Sequence, residues 1–231
     1  MTNLAIIPAR GGSKRIPKKN VALLSGRPLI YYTITAALQS HRIDRVIVST
    51  ENEEISEISR SFGAEVLARP DCLAADTSLS IDVIKNVVST LADSENYRAD
   101  TIVLLQPTSP LRTSQHIDCA LDMFLASSAD SLVSTVRVPH SFQPQSLMVV
   151  QNGYLTPYLG GSEMSTSVTT SMNLYARNGA AIYIFSHECL ITKNSLFGDT
   201  TIPFEMTPDE SIDINEPWDL QLCESIMRTP Q

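Results

Sequence analysis

Short apolar runs alternate along this chain with longer segments whose apolar residues recur at helical spacing, and that rhythm limits the folds open to it. Leu4–Ile7, Arg45–Ser49, Ala64–Ala68, Thr101–Leu105, Ser131–Val136 and Ala180–Phe185 read as strands, being brief, aliphatic or β-branched and bounded by loop formers. Pro28–Gln39, Asn52–Phe62, Ser80–Leu91, Ser114–Leu125 and Pro217–Met227 read as helices. In Asn52–Phe62, Ile55, Ile58 and Phe62 share one face, and Gly63 can take the left-handed conformation that ends a helix. Strands that are apolar throughout must be covered on both faces. The repeated β-α-β order therefore predicts an α/β, Rossmann-like fold, a mainly parallel sheet with helices on both sides. Right-handed crossovers then bring the strand ends, and any ligand, to one edge.

The rhythm breaks after Val138. Residues 139–177 contain prolines, the pair Gly160-Gly161 and a Ser/Thr run from Ser165 to Ser171. Within them Met148-Val149-Val150 and Tyr154-Leu155 predict a hairpin across Asn152-Gly153, a favoured two-residue turn. At 231 residues, 43% hydrophobic and 18% charged, the chain suits one domain over 1–231 with a substantial core, and 139–177 reads as an insertion or as a surface loop.

Charge is unevenly placed. The first twenty residues hold five cations (Arg10, Lys14, Arg15, Lys18, Lys19) and no acid, while the whole chain is at −8. A globally acidic surface disfavours nucleic acid, and a local basic loop suits a small anion. Cys72, Cys119, Cys189 and Cys223 lie far apart without zinc spacing, as expected of reduced thiols in a cytoplasmic protein. No apolar run approaches about 18 residues, and the chain enters a strand at once, so neither membrane span nor signal peptide is expected.

The basic loop follows the first strand as Pro8-Ala9-Arg10-Gly11-Gly12-Ser13-Lys14-Arg15-Ile16-Pro17-Lys18-Lys19-Asn20. Gly11 and Gly12 allow backbone amides to approach an anion, and the cations offer charge-assisted bonds to phosphate oxygens. The spacing is neither that of a Walker A loop nor that of a dinucleotide fingerprint. A polyphosphate loop at the end of a strand and a solvated turn both remain open on these residues alone. The stretch also resembles, without a gap, the opening motif of the CMP-sialic acid synthetases (acylneuraminate cytidylyltransferases) and their CMP-Kdo relatives. That resemblance implies that Arg10, Ser13, Lys14 and Lys19 bind the triphosphate of CTP and that Asn20 helps to bind the nucleotide.

Further segments are similar to the same family. Arg69-Pro70-Asp71-Cys72-Leu73-Ala74-Ala75-Asp76-Thr77-Ser78-Leu79-Ser80 resembles its loop over cytosine and ribose. The likeness implies contacts from Arg69 and Ser80 and a base-reading backbone group near Ser78; taken alone, Ser80 reads as a helix cap. Gln106-Pro107-Thr108-Ser109-Pro110-Leu111-Arg112 matches without a gap and implies that Gln106 binds the acceptor. For Arg112, an anion-binding role and a loop-bracing salt bridge are both open. Asn178-Gly179-Ala180-Ala181-Ile182-Tyr183 resembles the segment whose Asn and Tyr border the sugar, which implies sugar contacts from Asn178 and Tyr183.

Near the end, Asp213 and Asn215 would share one face of an extended segment, where oxygen ligands can hold Mg²⁺. The resembled motif has a second acid where Asn215 stands, so the expectation is that Asp213 alone supplies the charge. A second departure is Val168-Thr169, where many sialic acid members have an Arg-Gln pair. The resemblance implies a Mg²⁺-dependent cytidylyltransferase that joins CTP to a nonulosonic acid such as N-acetylneuraminate or legionaminate, with Arg10, Lys19 and Asp213 catalytic. It also implies a homodimer formed through the insertion. The alternatives are a CMP-Kdo synthetase and a CTP-binding regulator without turnover. No hydrolase elbow occurs, and the four histidines lie outside the matched segments.

Overall fold

A computed structural model describes residues 1–75, 77–159 and 173–229. Its strands are β1 (Asn3–Pro8), β2 (Leu23–Leu24), β3 (Arg27–Pro28), β4 (Arg45–Thr50), β5 (Glu65–Ala68), β6 (Thr101–Leu104), β7 (Ser131–Arg137), β8 (Met148–Gln151), β9 (Tyr154–Pro157), β10 (Tyr175–Arg177), β11 (Tyr183–Ser186) and β12 (Thr201–Met206). The helices are α1 (Leu29–Leu38), α2 (Glu53–Ser61), α3 (Ser80–Glu95), α4 (Ser114–Leu125), α5 (His187–Thr192) and α6 (Pro217–Arg228).

The main sheet is parallel on one side and mixed on the other. β5, β4, β1 and β6 lie side by side and parallel. β11 then runs antiparallel between β6 and β7. β10 continues along the same edge of β7, pairing at Tyr175–Arg177, and β12 lies parallel to β7. Tyr175–Arg177 therefore belong to the sheet and not to the insertion in which the sequence placed them. Leu4, Ala5, Ile6 and Ile7 of β1 are all buried, as a central strand covered on both faces requires. One face packs residues of α1, α2 and α4, including Ile34, Ile55, Leu121 and Phe124. The other packs Ile84, Val87 and Leu91 of α3 with Cys189 and Leu190 of α5.

Strand direction decides which loops meet. The parallel strands send the loops after β1, β4, β5 and β6 to one edge. Because β11 runs the opposite way, its start, not its end, reaches that edge; β12, parallel to β7, delivers the segment after Met206 there too. The chain moves from β1 outward to β4 and β5, then returns to β6 on the other side of β1. Such a reversal opens a crevice beyond the carboxyl ends of the strands. The predicted hairpin forms as β8–β9, with Asn152 and Gly153 at φ of 52° and 84°, the left-handed pair that a tight hairpin turn needs. Gly160, Gly161, the run Ser165–Ser171 and Val168-Thr169 lie outside the described residues, as does Asp76.

Candidate active site

The crevice at the reversal is a cavity of about 660 Å³. Arg10, Ser13, Lys14, Lys19 and Asn20 line it from the loop after β1, and Arg69, Ser78 and Ser80 from the segment between β5 and α3. Gln106 and Thr108 come from the loop after β6, and Gly179, Asp213 and Asn215 from the two returning segments. Residues more than 200 positions apart thus share one wall because the sheet brings their loops to one edge.

The loop after β1 is tied down before any ligand arrives. Ala9 N–H bonds the carbonyl of Ser49 at 3.0 Å. The Asn20 side-chain amide donates to the Arg10 carbonyl at 2.9 Å, and the Gly11 N–H donates to Glu51 Oε1 at 2.7 Å. A Cβ on Gly11 would stand 2.7 Å from Asn52 Nδ2, so the close approach to the N-cap of α2 needs glycine there. Ser13 N–H bonds the Gly11 carbonyl at 3.0 Å. The amides of Gly11 and Ser13 are therefore committed within the protein, and neither Gly11 nor Gly12 lines the cavity. Anion contact from this loop falls mainly to its side chains, a correction to the expected nest of successive amides. Lys18 turns away: it takes a left-handed conformation and pairs with Glu54 of α2 at 2.7 Å.

Cations crowd the cavity. Lys19 Nζ donates to the Ile214 carbonyl at 2.9 Å, which links the first loop to the last. Burial holds its pKa below the ordinary lysine value; Asp213 opposes that shift, and Arg15 and Arg10 add to it. Arg69 is buried, with Nη2 on the Ser49 carbonyl at 2.6 Å and Nε 3.4 Å from Ser49 Oγ. Burial again lowers its pKa, with Glu51 acting against the shift and Arg10 with it.

The acid side is set by alternation along an extended segment. Ile214 is fully buried beside Ile16, Leu24 and Leu29, and its N–H bonds the Thr108 carbonyl at 2.8 Å. Its neighbours Asp213 and Asn215 consequently face the cavity. Asp219 Oδ2 accepts from the N–H groups of Asn215 and Glu216, each at 2.7 Å, which anchors the segment to the start of α6. Gly179, at φ +71°, lies so close to Asp213 that an added Cβ would stand 2.3 Å from Asp213 Cγ. Asn215 does not present an oxygen beside Asp213: its Nδ2 donates to Asp213 Oδ2 at 2.7 Å. The expected pair of oxygen ligands is therefore replaced by one carboxylate with a hydrogen-bonded amide. Among the described residues no group of three or more His, Cys, Asp and Glu side chains could hold a metal. One half-buried carboxylate on the cavity wall still fits Mg²⁺, which commonly takes one or two protein carboxylates and completes its shell with waters and substrate phosphates.

Several expected residues sit elsewhere. Ser80 does not cap α3; it is the first helical residue, the N-cap is Leu79, and Ser80 lines the cavity instead. Ser78 Oγ donates to the Cys72 carbonyl at 3.2 Å, bracing its own loop. Asn178, 4% exposed, accepts from Ser134 Oγ at 2.6 Å and donates to Ser211 Oγ at 3.0 Å, so its amide is spent on the core and does not line the cavity. Tyr183 is also buried and off the wall, its ring edge-on to Phe197 at 5.6 Å; burial raises its pKa, and Arg177 opposes the rise. Arg112, 2% exposed, makes no salt bridge among the described residues; it donates to the carbonyls of Ala181 at 2.7 Å and Gln106 at 3.2 Å and to Thr33 Oγ1 at 2.5 Å. Burial pushes its pKa down to about 9. Arg112 thus ties the Gln106 loop to β11 without touching the cavity. His116 Nε2 lies 3.2 Å from Glu210, which braces the segment leading to Asp213. Glu51 and Gly179 were not singled out from the sequence; the signals for them were an acid directly after a strand that neighbours β1, and a glycine in the turn before a strand.

The sequence model of the cytidylyltransferase family matches residues 4–203. The chain belongs to that family. It is 37% identical over 238 residues to the CMP-N,N'-diacetyllegionaminic acid synthase of Legionella pneumophila, covering 100% of this chain and 98% of that protein. It is 35% identical over 225 residues to the N-acylneuraminate cytidylyltransferase of Escherichia coli, covering 97% of this chain. The chain spans about half the length of that relative, 52%. Among solved structures, CMP:2-keto-3-deoxy-manno-octonic acid synthetase complexed with CTP has a TM-score of 0.70 over 98% of both chains at 18% identity, a likeness of fold. The α/β, mainly parallel fold expected from the β-α-β order is thus shared with that structure.

Proposed function

We propose that this cytidylyltransferase transfers CMP from CTP to the anomeric hydroxyl of a nonulosonic acid, releasing pyrophosphate. One observation carries the reading: cations from the loop after β1 and the Asp213 carboxylate face one cavity at the sheet's reversal point. The acceptor class rests on the legionaminic acid synthase that aligns with the chain from end to end. Arg10, Lys14 and Arg69 would bind the triphosphate, and the Lys19 ammonium, fixed on the Ile214 carbonyl, would offset its charge. The anomeric oxygen attacks the α-phosphorus in line as the bond to the β-phosphate bridging oxygen breaks. The contribution of the protein is positioning and charge stabilisation. Gln106 and Thr108 form the wall toward the acceptor, with the Gln106 backbone held by Arg112. Asp213 would hold Mg²⁺, which would supply further positive charge to the phosphate oxygens.

The working form we propose is a cytoplasmic homodimer, and the β8–β9 hairpin supports the dimer. Val150, Tyr154 and Leu155 stand 67%, 76% and 67% exposed, an apolar surface suited to cover by a second copy. Among the described residues no helix is long and apolar enough to cross a membrane.

The test is pyrophosphate release from CTP and Mg²⁺ with N-acetylneuraminate, legionaminate, pseudaminate and Kdo. Release with one of the first three is expected. Release with Kdo alone would move the assignment to CMP-Kdo synthesis, and CTP binding without release on any acid would favour a regulator.

A further inference from the structure

Glu51 stands directly after β4, beside the loop after β1, and has no place in the mechanism above. Its Oε1 accepts the Gly11 N–H at 2.7 Å, while its Oε2 is buried without a hydrogen-bond partner. A carboxylate at this position opposes the function of its surroundings. It lies near enough to Arg69 to stabilise that cation, in a site otherwise built to attract phosphate. A half-buried carboxylate with one buried, unpartnered oxygen beside an anion site costs free energy both in the empty protein and on substrate binding. Some compensating role is required to explain its geometry.

The bonds around Gly11 supply one. The Arg10 carbonyl and the Gly11 N–H belong to the same peptide group. Asn20 Nδ2 holds the carbonyl at 2.9 Å and Glu51 holds the N–H at 2.7 Å. The two side chains come from different segments and grip the two polar ends of one rigid plane. Fixing that plane fixes ψ of Arg10 and φ of Gly11, and hence the direction in which the Arg10 side chain leaves the backbone. Asn52, next to Glu51, packs against the Gly11 Cα, so the peptide cannot slide toward α2. We propose that Glu51 is a positioning residue which, with Asn20, clamps the Arg10–Gly11 peptide so that Arg10 is aimed at the CTP phosphates before the nucleotide binds. The proposal rests on the nucleotide reading of the cavity.

Geometry and charge make opposite demands, and substitution separates them. Glu51→Gln keeps an acceptor oxygen for Gly11 and removes the negative charge; Glu51→Ala removes both. With wild-type CTP binding as the control, Glu51→Ala is expected to raise the KM for CTP about tenfold and to leave the KM for the sugar acid within about twofold. Glu51→Gln is expected to match wild type or bind CTP up to about threefold more tightly, because a repulsive charge has gone. Hydrogen exchange of the Gly11 amide in the nucleotide-free protein reads the clamp without turnover, and should quicken at least about tenfold in Glu51→Ala and not in Glu51→Gln. Wild-type exchange and CTP KM in a folded Glu51→Ala would overturn the proposal. So would equal losses for CTP and the sugar acid, which would mark a general structural role. Failure of the wild-type protein to bind CTP would instead remove the nucleotide reading, and the exchange result would still decide whether the clamp exists.

Discussion

Gly179→Ala puts the coupling between the turn before β11 and Asp213 to a quantitative test. Gly179 has φ +71°, where an L-residue costs about 1–2 kcal/mol. Its new Cβ would stand 2.3 Å from Asp213 Cγ and 2.6 Å from Asp213 Cβ and Oδ1. Carbon atoms rest about 3.5–4.0 Å apart, so one side must retreat by about 1.2–1.7 Å. Ile214 cannot follow easily, being fully buried and bonded through its N–H to Thr108. The Asp213 side chain is the softer partner. If it swings away, stability falls only by the backbone term, roughly 2–8 °C in Tm for a chain of this size. A displacement of about 1 Å at a reacting centre costs on the order of 100-fold in kcat/KM. If Asp213 holds its place, overpacking adds about 1–3 kcal/mol and Tm falls by up to about 20 °C. Thermal denaturation and pyrophosphate release, the latter across a Mg²⁺ titration, distinguish these responses. The expected result is the small Tm loss, the large rate loss and a weaker apparent Mg²⁺ affinity. A variant unchanged in Tm and kcat/KM would refute the contact itself. A large Tm loss with normal turnover below the transition would refute the claim that the glycine protects the catalytic geometry.

Three other outcomes follow from the same wall. Arg10→Ala should lower kcat/KM by at least about tenfold in a folded protein, since a charge-assisted bond to phosphate is worth more than about 1.4 kcal/mol; steady-state kinetics beside circular dichroism checks it. Asn215→Asp replaces the amide that donates to Asp213 at 2.7 Å with a second carboxylate. It should lower Tm without metal, raise the Tm gain on adding Mg²⁺ above that of wild type and tighten Mg²⁺ half-saturation, all readable by melting and activity titrations. Lys19 titrates below 10.5 because burial disfavours its ammonium, so kcat/KM for CTP should fall on an alkaline limb below that pH, and Lys19→Arg should move the limb upward. The stability sign is opposite: as pH rises from the folded pKa toward 10.5 the unfolded chain binds more protons, so the cost of burying this cation fades and Lys19's contribution to stability improves.

The fold was legible where one periodicity ruled a segment. β1, β4 and β6 are buried on both faces and read as unbroken apolar runs, and α2 shows its face and its Gly63 stop. β12 escaped notice although Ile202, Phe204 and Met206 alternate, because Pro203 argues against a strand. It is tolerated there because β12 has β7 on one side and, among the described residues, no strand on the other. The direction of β11 was not legible at all. A strand's residues do not say whether it runs up or down; that follows from where the chain re-enters after residues 139–174, and pairing information of that range leaves no local pattern. The same limit hid β10, whose three residues have no periodicity to detect.

The site divides along the same line. Side chains on loops leaving parallel strands, such as Arg10, Lys19, Arg69 and Gln106, could be placed in one crevice from strand order alone, since topology determines where such loops meet. Whether a polar side chain on those loops faces the crevice or the core depends on partners distant in sequence. Asn178 finds Ser134 and Ser211 and turns inward, and Arg112 finds two carbonyls and Thr33. Nothing in Asn178-Gly179-Ala180 announces this, because a buried amide and a ligand-binding amide use the same donors and acceptors. Glycine is the more telling residue in that segment. Its missing side chain is the one property that no hydrogen-bond partner could disguise, and the atom that fills the space is the Asp213 carboxylate. A contact of that closeness makes the turn leading into β11 part of the acidic wall, although the neighbouring Asn178 and Tyr183 face the core. It also explains why strand polarity matters to chemistry here: a parallel β11 would carry Gly179 to the opposite edge of the sheet, and Asp213 would lose the surface against which it is set.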